Sequence, residues 1–359
     1  MLAIGKLSAA SVDYYTEQLS HSVGEDVPVL RSGGGDRRVD YYASHQAPAR
    51  WMGSGLEAAG VVRDSPVTKE AFARLMGHET LSGESMTRAH ASHGKVAAFD
   101  HTLSAPKSVS LLYAFGGNGV RQQVREAHLE AVGQAVEYME EHCAQARKVT
   151  SRRDENGKRQ QTTRFVDSDG WVAAAFDHYT SRANDPQLHT HVVVINRVHT
   201  EDGWRALESR RNYLHAKAGG TIYETVLRDE LTRRLGVSWG PVVNGIADIS
   251  GFSPELLGHF STRRAEILEA AEAYAARHGG RIHARMLQKF TLETRQPKQH
   301  PRGEAPVTQE MRDYGVGPDV VAHWQRRAAE APEDPTQVAR AVVGEGRHRF
   351  RPSPGSLTD

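Results

Sequence analysis

Phe176-Asp177-His178 and, eleven residues beyond that histidine, His189-Thr190-His191 running into Val192-Val193-Val194-Ile195 decide the reading of this chain. Strand side chains alternate between faces, so His189 and His191 point the same way from the start of one strand. Trp171 to Phe176 is an apolar segment that reads as a second strand, closed by His178. Between them, Ser181-Arg182-Ala183-Asn184-Asp185-Pro186 is rich in turn formers, which pairs the two strands antiparallel. The end of the first strand then lies beside the start of the second, and three imidazoles converge. Three neutral nitrogen donors with an open position are what a catalytic divalent metal needs. With 19 histidines in the chain some close spacings arise by chance, and H-x-H alone is a weak signal. A third histidine at a strand end across a turn makes the pattern much less accidental.

Working outward, 359 residues suffice for a substantial core, as one large domain with appendages or as two domains. The formal net charge of +1 neither advertises nor excludes a nucleic-acid partner. Cys143 is the single cysteine, which excludes an intramolecular disulfide and a cysteine-based zinc site and suits a reducing cytoplasm. No apolar run approaches membrane-spanning length, and Asp13 and Glu17 stand where a signal peptide needs an apolar core. The expectation is a soluble, intracellular protein without membrane insertion. No G-x-x-x-x-G-K-[ST] loop is present, so the chain carries no Walker-type ATP site.

Ser8 to Leu19 reads as a short helix with Ser8 as N-cap and the pair Tyr14-Tyr15 on it. Consecutive helical residues diverge by about 100°, so only one of the pair faces a given site. The stretch from 20 to 40 holds Gly33-Gly34-Gly35, and a second pair, Tyr41-Tyr42, follows it. Lys95 to Ser104 alternates as a strand, with Val96, Ala98, Asp100, Thr102 and Ser104 on one face and Phe99 and Leu103 on the other. A helix opens at Ser104-Ala105-Pro106-Lys107 and runs to Phe115, and a long amphipathic helix runs from Val120 to about Gln145. Glu155-Asn156-Gly157-Lys158 predicts a tight hairpin turn. Around it, Arg147 to Arg164 carries a net charge of +5, a solvated face or a nucleic-acid contact. Helical stretches follow near Thr221–Leu235 and Pro254–His278. Past about Arg302 the chain is polar and proline-dotted, with one helical piece around Trp324 and a tail over the last fifteen residues.

A metal held by three histidines activates water or polarises a phosphate oxygen. Tyrosine is a poor general base at neutral pH, but it is a good nucleophile toward a phosphodiester whose charge a metal neutralises. Tyr14 and Tyr41 are therefore either nucleophiles or packed aromatics. Asp100, mid-strand, holds a ligand imidazole in its tautomer, accepts the tyrosine proton, or is merely a half-exposed strand acid. Lys107 at a helix opening is a phosphate contact or an ordinary exposed lysine. Arg182 contacts a bound phosphate or buttresses its turn through Asp185. Trp51 stacks a base or lies in the core.

His178 with Asp185-Pro186-Gln187-Leu188-His189-Thr190-His191, Thr180-Ser181-Arg182, Asp100 ahead of Leu103-Ser104-Ala105-Pro106-Lys107-Ser108-Val109-Ser110, and the two tyrosine pairs together resemble the MobF (TrwC/TraI-like) class of conjugative relaxases, within the HUH superfamily. Phe260-Ser261 ahead of Arg263-Arg264, and Thr294-Arg295 with Lys298, extend the resemblance, which runs from the N-terminus to about residue 330. It implies an α+β fold: a central antiparallel β-sheet of HUH or palm-like type flanked by helices, with C-terminal helical fingers closing over DNA. It implies a relaxase domain over 1–300, with the fingers from about 220. Residues 301–359 would form a partly disordered polar extension with a short helix near 318–330.

The implied activity is nicking of one strand at an origin of transfer. Tyr14 becomes joined to the DNA 5′ phosphate, and Tyr41 serves a later strand transfer. Tyr15 and Tyr42 stand as secondary candidates and Asp100 as support. His178, His189 and His191 would hold one divalent ion, Mg²⁺ or Mn²⁺, with Zn²⁺ or another as alternatives. Lys107, Arg182, Arg152, Arg153, Arg295 and Lys298 are the expected DNA-binding residues. The partners implied are hairpin and single-stranded origin DNA, conjugation accessory proteins, and a coupling protein with its type IV secretion system. A cytoplasmic bacterial monomer is expected, carried into the recipient attached to DNA. The insert between Tyr15 and Tyr41 is longer than the family's short linker. Family members often continue into a helicase, so the chain is a relaxase portion or a stand-alone form. Competing readings are a rolling-circle replication initiator, a catalytically silent single-stranded DNA-binding module and a water-activating metallohydrolase. Initiators typically put the tyrosine after the metal motif, and here both pairs precede it.

Overall fold

The computed structural model describes residues 1–12, 15, 49–87, 96–153, 155–156, 158–279, 281–283, 286–287, 290–291 and 314–349. Two compact units are built from interleaved segments. One comprises Met1–Ser104, His128–His178 and His189–Leu227; the other comprises Ala105–Ala127, Tyr179–Leu188 and Arg228–Asp359. Among the described residues no helix is long and apolar enough to cross a membrane.

The first unit is organised by a five-stranded sheet from β1 (Leu2–Leu7), β2 (Arg50–Met52), β3 (Ala98–Ser104), β6 (Ala173–Thr180) and β7 (Pro186–Ile195), in the spatial order β1-β3-β7-β6-β2. The β1–β3, β3–β7 and β2–β6 pairs are antiparallel, as the α+β reading requires. Both faces are covered, so β6 and β7 are buried along most of their length. On one face Trp51, Ala174, Phe176, Val193 and Ile195 meet Phe72, Leu75 and Met76 of helix α1 (Lys69–Met76). Thr68 caps that helix by accepting the Ala71 N–H at 3.1 Å. Trp51 is therefore a core residue, 4% exposed, rather than a base-stacking platform.

Helix α2 (Lys107–Phe115) follows β3, and helices α3 (Asn118–Cys143) and α4 (Ser209–Leu235) are the two longest. Gly219 and Gly220 look like breakers, and the polar stretch before them gives no helical stripe, so the expected helix began only at Thr221. The glycines instead permit close approach. A Cβ at Gly219 would stand 2.7 Å from Met139 Sδ of α3, and one at Gly220 would stand 3.2 Å from the Leu2 backbone nitrogen. The cost of glycine inside a helix, about 1 kcal/mol, is offset by that packing.

β4 (Gln145–Arg153) and β5 (Arg159–Asp167) form a separate two-stranded antiparallel ribbon, the basic hairpin expected around Asn156-Gly157. A second small ribbon joins β8 (Val198–Thr200) to β9 (Gly203–Arg205).

Within the second unit, the expected Pro254–His278 helix is two, α5 (Pro254–His259) and α6 (Thr262–His278). Phe260 leaves helical geometry between them as its ring packs on Phe115 at 5.4 Å. Helix α7 (Pro318–Ala329) lies where a helix around Trp324 was expected, and α8 (Pro335–Arg349) is a further helix in what read as polar chain. Trp324 and Val321 of α7, with Ala339, Val342 and Val343 of α8, are buried. At the N-terminus, Ala9–Ser11 is a 3-10 turn with Ser8 at the cap position and no side-chain cap bond.

Candidate active site

The sheet register builds the site. In the β3–β7 pair, Thr102 stands opposite His191, Ser104 opposite His189 and Asp100 opposite Val193, so Asp100 sits diagonally to His191 on the same face. His178 lies inside β6 rather than at its end, because the strand continues through Thr180 before turning. That turn is tied by Ser181, whose Oγ accepts the N–H groups of Ala183 and Asp185 at 3.2 Å each, and Asn184 takes the left-handed conformation at φ 59°.

The result is a cluster of three imidazoles. His178, His189 and His191 each offer a ring nitrogen, and these atoms lie within 4.8 Å of one another. The ring centroids are 4.8–5.0 Å apart and the planes are steeply inclined, so the rings converge rather than stack. His178 and His191 are buried and His189 is half-buried. His191 Nδ1 lies 2.9 Å from both Asp100 oxygens, which fixes the proton there and leaves Nε2 as the donor nitrogen. Thr102 Oγ1 adds contacts of 3.2 Å to that Nδ1 and 3.3 Å to Asp100. Burial alone would raise the Asp100 carboxyl, but the hydrogen bonds from His191 and Tyr15 hold it below the usual carboxylate range. The donor set of three neutral nitrogens, one oriented by a carboxylate, fits a divalent transition metal.

Of the tyrosines, Tyr15 is described and lies at this site. Its hydroxyl donates to Asp100 Oδ2 at 3.0 Å, and its ring, 2% exposed, packs against Phe176 at 5.2 Å and His191 at 5.6 Å. Tyr14, Tyr41 and Tyr42 lie outside the described residues, as do Arg295 and Lys298.

The remaining candidates divide between the two units. Arg152 and Arg153 are exposed on the ribbon of the first unit. In the second, Lys107 is not an ordinary exposed lysine: it is half-buried, donates to the Pro186 carbonyl at 2.7 Å, and is pushed down to about 8 by burial. Arg182 is half-buried on its turn. The Asp185 carboxylate accepts the Thr262 N–H at 2.9 Å and its hydroxyl at 3.2 Å, at the N-terminus of α6. Sequence reasoning did not single out Thr102 as a site residue, although its place two residues from Asp100 on the same face was a usable signal. Nor did it single out Asp177 and Thr190, which alternate with the histidines and face the other way.

Comparison with known proteins places the chain in a family. The TrwC relaxase family profile matches residues 8–314. The multifunctional conjugation protein TraI of Escherichia coli is 32% identical over 272 residues, 73% of this chain, and the chain spans only 14% of that relative's length. Among solved structures, the conjugative relaxase TrwC in complex with oriT DNA, in a metal-bound form, superposes with a TM-score of 0.66 at 28% identity, covering 92% of this chain and 98% of that one. TrwC complexed with a 27-mer DNA comprising the recognition hairpin and the cleavage site gives 0.65 at 27% identity over the same shares. A profile match over most of the chain, supported by identity and fold, establishes that this chain belongs to the TrwC relaxase family.

Proposed function

We propose that this chain is a conjugative relaxase, a metal-dependent enzyme that nicks one strand of an origin of transfer and keeps it as a tyrosyl ester. The observation that carries the reading is the convergence of His178, His189 and His191 with His191 fixed by Asp100. A divalent ion bound there would neutralise and polarise the scissile phosphate. The three-nitrogen donor set favours Mn²⁺, Zn²⁺ or a related transition ion over Mg²⁺, which prefers oxygen donors. The Tyr14 phenol gives its proton to solvent as its oxygen attacks phosphorus, the bond to the 3′ oxygen breaks, and the leaving 3′ oxygen takes a proton from solvent to become a hydroxyl. The protein keeps the 5′ phosphate. Asp100 holds the His191 tautomer, and Tyr41 supplies a second nucleophile for strand transfer.

The rest of the chain would grip DNA. The β4–β5 ribbon is of a size that the major groove of a duplex hairpin admits. Arg152 and Arg153 on it, with Lys107, Arg182, Arg295 and Lys298, supply phosphate contacts. The protein acts as a monomer in the bacterial cytoplasm, with accessory proteins and a coupling protein of a type IV secretion system as partners, and enters the recipient attached to DNA.

The test is incubation with oligonucleotides tiling the origin of transfer of the encoding element, plus Mn²⁺ or Mg²⁺. A protein–DNA adduct that survives denaturing electrophoresis is expected. Binding without an adduct would make the chain a silent binding module, and cutting without an adduct a metallohydrolase.

A separate measurement concerns the ribbon. Reversing Arg152 and Arg153 to Glu is expected to weaken hairpin binding and to reduce the slope of log affinity against log salt by about 2, roughly 0.9 per lost phosphate contact. An unchanged slope returns the ribbon to a solvated face.

A further inference from the structure

Behind the imidazoles, on the opposite face of the sheet, lies a buried polar chain that the reaction does not use. Asp177 precedes His178 on β6, and Thr190 lies between His189 and His191 on β7, so both point away from the ligand face. Thr190 Oγ1 donates to Asp177 Oδ1 at 2.6 Å, and Arg50 Nη1 of β2 donates to Asp177 Oδ2 at 2.7 Å. Because the Thr190 proton is committed to Asp177, His128 Nε2 of α3 is the donor in its 2.8 Å contact with Thr190 Oγ1. The other ring nitrogen, Nδ1, accepts from the Tyr223 hydroxyl of α4 at 2.7 Å. Burial, with Glu224 adding to it, raises the Tyr223 phenol well above its ordinary value, which keeps it a donor. The donors thus run one way, from Tyr223 through His128 and Thr190 to Asp177, and Arg50 closes the far end. Tyr223 and Thr190 are 0% exposed, His128 1% and Asp177 8%.

We propose that this chain clamps the two ligand-bearing strands in register, making Thr190 and Asp177 positioning residues of the metal centre. The proposal rests on the reading of His178, His189 and His191 as ligands. Those ligands come from two neighbouring strands, so the separation of their nitrogens depends on how β6 and β7 are held relative to one another. The backbone ladder sets the register, and a one-residue slip would turn every histidine to the wrong face. The Thr190–Asp177 bond ties the same two strands by side chains immediately behind the ligands, and α3 and β2 each hold one end of it. A hydrogen-bonded buried network of this kind rigidifies its surroundings, whereas removing one of its members leaves the neighbouring buried groups unpaired.

The test is titration of the metal-free chain with Co²⁺, read by visible absorption, in wild type, Thr190→Val, Thr190→Ser and Asp177→Asn. Thr190→Val, which keeps the volume and removes the hydroxyl, is expected to bind Co²⁺ about tenfold or more weakly with altered ligand-field bands. Thr190→Ser is expected to restore both affinity and spectrum, a rescue that mere packing at this position does not predict. If Thr190→Val does not fold, Asp177→Asn decides, since it keeps an acceptor for Thr190 while giving up the Arg50 ion pair. Its Co²⁺ affinity is expected to fall severalfold. Wild-type affinity and bands in whichever of these two variants folds overturn the clamp alone. A wild-type chain that takes up no Co²⁺ overturns the metal-site reading, and the clamp with it.

Discussion

His191→Ala is expected to lower the rate of adduct formation by a thousandfold or more while leaving affinity for origin DNA within a fewfold of wild type. A bound metal contributes several kcal/mol of charge stabilisation to a phosphoryl transition state, and about 4 kcal/mol corresponds to a thousandfold in rate. Removing one of three nitrogens spoils the site, whereas phosphate and base contacts made elsewhere persist. The histidines differ in a second respect. His191 is buried and bonds both Asp100 oxygens, so its loss leaves a buried carboxylate with only the Tyr15 and Thr102 hydroxyls, at a cost of about 1–3 kcal/mol in folding stability. His189 is half-buried, and His189→Ala is expected to be equally inactive with a smaller loss of stability. Asp100→Asn is expected to slow cleavage and to retain metal, because Asn still offers an oxygen to the Nδ1–H. Single-turnover cleavage, fluorescence-anisotropy binding and thermal melts separate these effects. Cleavage that survives loss of either histidine removes the metal assignment.

The histidines and Asp100 were legible because alternation along a strand is a local property: given two strands and a turn, the faces follow. Strand register is not local. That Thr102 and Asp100 flank His191, and that Thr190 meets His128 from α3, depends on which residues stand opposite one another, and no single strand's pattern states that. The early start of α4 was hidden for a related reason. Gly219 and Gly220 read as breakers until Met139 and Leu2 are brought against them. Lys107 and Trp51 were ambiguous by type, since each has an exposed and a buried use, and only their packing chooses. The fold class was carried by the strand patterns and, above all, by the motif resemblance, which linked Asp100, the histidines and the tyrosine pairs across long separations.

Tyr14→Phe is expected to abolish the adduct altogether, and Tyr15→Phe to slow its formation only about tenfold. The asymmetry follows from what the Tyr15 hydroxyl already does. It donates to Asp100 Oδ2, and Asp100 in turn occupies Nδ1 of His191, so the phenol oxygen stands behind that imidazole, away from the Nε2 that faces its fellow ligands. The ring is 2% exposed, closed in by Phe72, Phe176 and His191, where a DNA backbone cannot reach it. Its loss would free Asp100 from one of its donors and loosen the hold on His191, an effect of about 1.4 kcal/mol if felt as tenfold in rate. The family resemblance independently names Tyr14 as the attacking residue, and it requires Tyr41→Phe to leave the first cleavage intact while blocking later strand transfer. Mass spectrometry of the DNA-bearing peptide decides among them. Nucleotide on Tyr15, or an adduct undiminished in Tyr14→Phe, would mean that Tyr15 leaves Asp100 when substrate binds and attacks phosphorus itself.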